Sequence, residues 1–379
     1  MDKKIKIYWL ANSSSPHVRH WAELLQVADC NFDVHIISIW HKNILKDVGL
    51  KGVTNKRVLP KLFRYFPEIL QYLILGIIIR LGVIKKDHVL HAHGTSGYGF
   101  VAFISGLKYG LTTYGSEVYS AEAKGLVYQS LLNKILKNAV AITSASPEMT
   151  RSLKTFFNIK NGKIHEFSLG VSSKFYYSEQ ERKRVREEFG INEGPVWIIN
   201  RRSAPLYHTL ELVEAFVSVR QRVGEGHLLV LEGDADKSYW LEVKSLCENN
   251  SHITPLCGFV SQSTLRAMLS ASDFAISIPD SDQLSSSILE GALCGAVPLL
   301  RNLPAYGRVK EFGVFFDIAN KASFDEIFNK SLSLYHSSEY VTRVMKVRAE
   351  VEKYKMASII PDILGFYHCI SGVLCSKGK

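Results

Sequence analysis

Residues 4–10 (Lys-Ile-Lys-Ile-Tyr-Trp-Leu) alternate polar with apolar and then turn wholly apolar, as a strand entering a buried sheet does. A polar loop, Ala11 to His17, follows, and the spacing of Val18, Trp21, Leu24 and Leu25 predicts a helix to Val27. Residues 33–39 read as a second strand, so the chain opens as strand, loop, helix, strand. Further short strands are expected at 87–92, 111–116 (running into a loop), 139–144 and 163–167, with Pro147 placed to open a helix at its first turn. Residues 172–194 are polar and charged, which marks a connection between domains. The alternation then restarts with strands at 196–200, 227–233, 253–256, 274–278 and 296–300, and residues 322–353 read as largely helical. Strands that alternate with helices predict two successive α/β units, each doubly wound about a parallel sheet, with a ligand expected in the crevice they form.

Composition narrows the class. With 379 residues, 46% hydrophobic and 22% charged, the chain has enough apolar material for two cores and is neither disordered nor a disulfide scaffold. The net charge of +10 is uneven: residues 1–180 hold 23 Lys and Arg against 12 Asp and Glu, and the remainder 23 against 24. An anionic partner for the first half, or a merely solubilising surface, accounts for that split. The six cysteines (Cys30, Cys247, Cys257, Cys294, Cys369, Cys375) form no CxxC and no zinc spacing, which fits a reducing cytoplasm. No signal peptide is expected at the start. The apolar run 69–79 is too short to span a bilayer, which needs about 20 residues. Within 56–86, Lys56, Arg57, Lys61, Arg64, Arg80, Lys85 and Lys86 surround Leu62, Phe63, Tyr65, Phe66, Ile69, Leu70, Leu73 and Ile74. Peripheral contact with an anionic membrane is expected there; the other reading is a helix with its apolar face turned inward. No recognition module or aromatic platform points to nucleic acid.

The stretch 279–298 carries the candidate chemistry. An apolar strand ends at Ile278, an acidic loop with Asp282 follows, and Ser285, Ser286 and Ser287 open a helix that holds Glu290. Backbone N–H groups and hydroxyls at a helix start suit phosphate, and nearby carboxylates suit sugar hydroxyls. Spacing alone leaves simple N-capping by serine equally open. Neither G-x-G-x-x-G after the first strand nor G-x-x-x-x-G-K-[ST] occurs, which disfavours a nicotinamide enzyme and a P-loop nucleotidase.

Asp282-x7-Glu290 followed by Gly291-Ala292-Leu293-Cys294-Gly295-Ala296-Val297-Pro298 resembles the E-x7-E signature of retaining GT-B glycosyltransferases of the GT4 family. His91-Ala92-His93-Gly94, Tyr114-Gly115-Ser116-Glu117-Val118, Leu169-Gly170-Val171, Arg202 with Pro205-Leu206-Tyr207 and Val213-Glu214-Ala215-Phe216, and Gly258-Phe259-Val260 resemble further family segments, in the family's order.

The resemblance implies a GT-B architecture: an acceptor-side Rossmann-like domain over 1–172, a nucleotide-sugar domain over 190–353, and a last helix within 354–379 returning to the first domain. It implies transfer of a hexosyl unit, with retention, from a nucleoside-diphosphate sugar to a saccharide or lipid-linked acceptor in surface glycan synthesis. The location is cytoplasmic, at the inner face of the membrane, with no cofactor and no metal. By resemblance, Glu290 meets the donor ribose, Asp282 the transferred sugar, Arg202 and Ser285 to Ser287 the diphosphate, Phe259 the base, and His93 the transferred sugar. His17, Arg19, Ser116 and Glu117 are expected on the acceptor side. Three departures stand out: Asp282 replaces the usual Glu; Tyr207 stands where the family carries a phosphate-binding Lys, with Arg201, His208 or Arg301 as substitutes; and Tyr114 stands where His is common before Gly115. A sugar-nucleotide epimerase and a non-catalytic partner subunit are the alternative readings.

Overall fold

The computed structural model describes residues 5–28, 32–40, 53–86, 88–191, 194–282 and 284–372. The chain divides into two compact units: residues 1–170 with 356–379, and residues 171–355.

Unit 1 carries β1 (Ile5–Leu10), β2 (Phe32–Ile37), β3 (Val53–Lys56), β4 (Val89–His93), β5 (Tyr109–Thr112), β6 (Ala141–Ser144) and β7 (Ile164–Glu166). All are parallel, in the order β3-β2-β1-β4-β5-β6-β7. Its helices are α1 (Pro16–Val27), α2 (Glu68–Ile78), α3 (Gly97–Ser105), α4 (Ser116–Tyr119), α5 (Leu126–Asn138) and α6 (Pro147–Thr155). Successive residues of β1 feed opposite faces of the sheet. Tyr8 and Leu10 join one apolar cluster, Ile7 and Trp9 the other. This is why a strand buried on both sides reads as an unbroken apolar run.

The stretch 56–86 is not one helix. A 3-10 turn at Lys61–Tyr65 precedes α2, and a turn at Ile79–Val83 follows it, where Gly82 has φ 113. Buried Gln71 ties α2 to the rest of the unit. Its side chain accepts from the Trp40 N–H at 2.8 Å and donates to the Trp40 and Phe66 carbonyls at 3.3 and 3.0 Å.

Unit 2 holds α7 (Glu179–Glu188), β8 (Val196–Ile199), α8 (Thr209–Val223), β9 (His227–Leu231), α9 (Lys237–Glu248), β10 (Ile253–Leu256), α10 (Gln262–Ala271), β11 (Phe274–Ser277), α11 (Ser286–Leu293), β12 (Val297–Arg301), β13 (Val314–Phe316), α12 (Ala322–Tyr335) and α13 (Glu339–Val351). The sheet is parallel, ordered β10-β9-β8-β11-β12-β13. Buried Asp273 locks its base, accepting from Arg182 at 2.8 Å, Arg186 at 2.5 Å, the Tyr340 hydroxyl at 2.8 Å and the Val196 N–H at 2.8 Å.

The last helix, α14 (Met356–Ser371), packs in unit 1, where Met356, Ile359, Ile363, Phe366, Tyr367 and Ile370 join the core of β1 and α1. Gly110 of β5 makes room for it: a Cβ there would lie 2.1 Å from Ile370 Cδ1 and 2.7 Å from Phe366 Cζ. Strand addition along the sheet reverses direction between β1 and β4 in unit 1, and between β8 and β11 in unit 2. In doubly wound sheets such a reversal leaves an open crevice beyond the strand C-termini, where ligands bind.

Candidate ligand sites at the two sheet reversals

In unit 2 the segment after β8 is pinned before it reaches the reversal. Ser203 N–H donates to the Glu232 carbonyl at 2.9 Å, and its hydroxyl to the Leu231 carbonyl at 2.8 Å. Asn200 donates to the Ser287 carbonyl at 2.8 Å, which joins the end of β8 to the first turn of α11. That helix lies against β11 because residue 291 is glycine, where a Cβ would stand 2.9 Å from Ala275 Cβ. Ser285 caps the helix: its hydroxyl accepts from the Ser287 N–H at 3.2 Å. Glu290 sits in the second turn, half-buried.

Arg201 organises this corner. Its Nη1 donates to Asp282 Oδ2 at 2.8 Å and to the Ser287 hydroxyl at 3.2 Å, and its Nη2 to the Tyr207 hydroxyl at 2.8 Å. The guanidinium also lies over the Tyr207 ring, 4.4 Å from its centroid. Burial opposes the charge, but Asp282 and Tyr207 outweigh it and hold the guanidinium pKa above its ordinary value. The buried Tyr306 donates to the same Asp282 oxygen at 2.9 Å. Of the expected substitutes for a lysine at 207, Arg201 therefore stands at the start of α11. His208 and Arg301 both turn to Asp280, at 2.9 and 2.5 Å. Arg202 is exposed and has no side-chain partner among the described residues. Phe259 is 90% exposed on a loop tied down where the Gly258 N–H donates to Glu232.

Sequence reasoning missed Tyr306 and Glu232. Glu232 had a legible signal, an acid directly after the apolar run 227–231, whereas nothing local distinguishes Tyr306 from any core tyrosine.

In unit 1, buried His93 ends β4. Its Nδ1 pairs with the Tyr114 hydroxyl at 2.8 Å, while its Nε2 is buried without a partner among the described residues. Burial, and then the neighbouring His17, push its pKa down to about 3, so the ring is neutral. His91 lies behind it, with ring centroids 4.1 Å apart. The Tyr367 hydroxyl accepts from Trp9 Nε1 at 3.0 Å and pairs with His91 Nδ1 at 3.0 Å, and His91 Nε2 pairs with the Thr112 hydroxyl at 2.7 Å. The Ser13 hydroxyl, in the loop after β1, is likewise buried without a partner among the described residues.

The acceptor-side candidates divide. His17 stacks on Tyr114, 4.7 Å between centroids, and exposed Arg19 reaches Glu23 at 3.5 Å. Glu117 faces its own unit: its carboxylate accepts from the Thr95 N–H at 2.5 Å and hydroxyl at 2.6 Å, from the Ser96 N–H at 3.2 Å, and from the Ser96 hydroxyl. Those bonds shape the turn between β4 and α3. Ser116 begins α4, and its side chain lies outside the described residues. Among the described residues no group of three or more His, Cys, Asp and Glu gathers to hold a metal, and no helix is long and apolar enough to cross a membrane.

Residues 6–146 match a family model described as glycosyl transferase 4-like, which runs from β1 through β6. No curated protein matches the sequence significantly. Among solved structures, a glycosyltransferase from Rickettsia africae is 15% identical, with 97% of this chain and 99% of that one covered at a TM-score of 0.75. A sucrose-phosphate synthase from Thermosynechococcus elongatus is 14% identical, covering 96% and 98% at 0.77. The Anabaena protein HepE, solved in complex with UDP and glucose, is 13% identical, covering 95% and 98% at 0.73. At such identities the likeness is one of fold, and the expected two-unit α/β architecture is borne out. Over residues 6–146, which include His91–Gly94 and Tyr114–Val118, the family match bears out the resemblance to GT4-type glycosyltransferases.

Proposed function

We propose that the chain is a glycosyltransferase that takes a hexosyl unit from a nucleoside-diphosphate sugar held by unit 2 and delivers it, with retention, to a saccharide or lipid-linked acceptor held by unit 1. The observation that carries the reading is the Arg201 corner. A guanidinium, an acid and a serine-capped helix start converge at the sheet reversal, where this class of fold binds nucleotides. Arg201, Arg202 and the backbone of Ser285 to Ser287 bind the diphosphate, Glu290 the ribose, the Phe259 loop the base, and Asp282 a hydroxyl of the transferred sugar.

The acceptor hydroxyl forms the new bond to the anomeric carbon as the bond to the diphosphate breaks, on the same face of the sugar. The proton passes to the departing phosphate oxygen. The residues act by positioning the donor and by stabilising charge on the leaving diphosphate, a task suited to guanidinium groups and a helix start. Neutral His93 presents Nε2 to the transferred sugar as a hydrogen-bonding atom, because a ring held uncharged at neutral pH is not a proton source. Neither metal nor cofactor takes part in this scheme. The setting is the cytoplasmic face of a membrane, in surface glycan synthesis.

The test is thermal unfolding of wild type and Glu290→Ala against a panel of nucleotides and sugar nucleotides. A ligand at a hundredfold excess over Kd stabilises by about 2.7 kcal/mol. One nucleoside diphosphate should stabilise wild type and not the variant; no response to any of them would sink the proposal. Hydrolysis or transfer of the labelled sugar then separates a transferase from an epimerase and from a non-catalytic partner subunit.

A further inference from the structure

Of the 13 exposed large apolar residues among the described residues of unit 1, eight lie between Leu62 and Val83, in and around α2. Along α2, Ile69, Leu73 and Ile77 recur every fourth residue and all are exposed. Leu81 extends the row in the following turn at 82% exposure, and Leu62 and Tyr65 precede it at 67% and 77%. Residues four apart share one side of a helix, so the row from Ile69 to Ile77 is a ridge about 12 Å long. The opposite side is sealed: Gln71, Leu75 and Gly76 are buried, and a Cβ on Gly76 would stand 2.8 Å from Ile104 Cβ of α3. The helix is therefore apolar on both sides with only one side covered, a pattern that marks an interaction surface.

Charge identifies what covers the other side. Residues 56–86 contain seven Lys and Arg and a single acid, Glu68. The cations bracket the ridge: Lys61 and Arg64 lie before it, Arg80, Lys85 and Lys86 after it, and all five are exposed. None of these five forms an ion pair among the described residues. An apolar ridge with cations at both ends matches the boundary of an anionic bilayer, where acyl chains take the ridge and phosphates take the cations. An apolar protein surface would leave the cations without partners.

We infer that the segment Lys61–Lys86 lies in the plane of an anionic membrane surface, with Tyr65, Ile69, Leu73, Ile77 and Leu81 embedded and Arg64, Arg80, Lys85 and Lys86 at the headgroups. The assignment narrows the contact proposed above to one ridge. It rests on the exposure and charge of unit 1, so it stands or falls independently of sugar transfer.

The experiment is co-sedimentation of the full chain with vesicles of phosphatidylcholine alone or with phosphatidylglycerol added. Wild type should bind the anionic vesicles and bind the neutral ones far less. The triple variant Ile69→Gln, Ile77→Gln, Leu81→Gln should lose binding at least about tenfold, since each embedded aliphatic side chain contributes through its buried area. The double variant Lys85→Gln, Lys86→Gln should lose about fivefold per cation. In a separate Leu81→Trp variant the emission should shift to the blue on adding anionic vesicles. All the substituted side chains are exposed, and unchanged melting temperatures confirm folding. Equal binding by wild type and the triple variant overturns the inference. So does absence of vesicle binding, including the case where the triple variant dissolves a dimer seen without vesicles. Nucleotide-induced thermal shifts on the same variants separate this failure from that of the transferase reading.

Discussion

Replacing Asp282 with Asn tests whether Arg201 is the cation of a phosphate site. The change keeps the shape of the side chain and the Tyr306 contact but removes the charge that faces the guanidinium at 2.8 Å. Two unit charges about 4 Å apart attract by about 4 kcal/mol at an effective dielectric constant of about 20. Removing one partner of a fully buried pair costs about 3–5 kcal/mol. Here the two side chains keep 11% and 15% of their exposure, and residual hydration lowers the expected loss to about 2 kcal/mol. For a domain of this size that is a fall in melting temperature of about 4–8 °C.

The variant leaves a guanidinium without its counterion beside the start of α11. A diphosphate bound there would replace the missing negative charge. Recovery of half the lost energy, about 1 kcal/mol, means about fivefold tighter binding. Calorimetric titration with the nucleoside diphosphate that stabilises wild type should therefore show a lower Kd for Asp282→Asn, while sugar transfer falls. Weaker diphosphate binding by the variant, or a melting temperature unchanged to within about 1 °C, would refute the reasoning.

Gly291→Ala pushes α11 off β11, because its Cβ would meet Ala275 Cβ at 2.9 Å. A displacement of this kind should cut transfer about a hundredfold while the unit still melts cooperatively, as turnover and calorimetry together would show. Gln71→Leu removes the side-chain partner of the partly buried Trp40 N–H and of the Trp40 and Phe66 carbonyls and should lower stability by about 1–2 kcal/mol, read from the urea midpoint. Acid should destabilise unit 1. His93 is pushed down to about 3 in the folded chain by burial and then by His17, and titrates near 6.5 when unfolded. Below about pH 6.5 the unfolded chain therefore takes up a proton that the folded chain refuses, and stability falls by about 1.4 kcal/mol per pH unit. Urea midpoints at pH 7 and pH 5 should differ less in His93→Gln than in wild type, and an identical difference would contradict the assignment.

The buried strands were legible because both of their faces are covered, which turns them into apolar runs. The strand β3 was not: Thr54, Asn55 and Lys56 are exposed at the sheet edge and carry no apolar signal. The stretch 56–86 was legible as basic and apolar, but its breaks were not read, although Pro60, Pro67 and Gly82 fall at them. The start of α11 could be placed from its serines. The pairing of Arg201 with Asp282 could not, because it depends on β8 and β11 lying side by side although they are far apart in the chain. Glu117 looked available from its loop position, yet the N–H groups of Thr95 and Ser96 come within its reach only once β4 and α4 are folded.

The membership of α14 in unit 1 sets an order of assembly during synthesis. Unit 2 is continuous from 171 to 355 and can complete its core as soon as that stretch leaves the ribosome. Unit 1, although its strands emerge first, must wait for Met356, Ile359, Ile363, Phe366, Tyr367 and Ile370. Each contributes about 1.5–3 kcal/mol on burial, so the nascent unit spends the synthesis of unit 2 with an open apolar groove under β1 and α1. The Tyr367 hydroxyl that pairs with His91 Nδ1 arrives with the same helix. The earliest-made half of the protein is thus the last to become competent, and a ribosome halted after Lys355 would display a finished unit 2 beside an unfinished, chaperone-accessible unit 1.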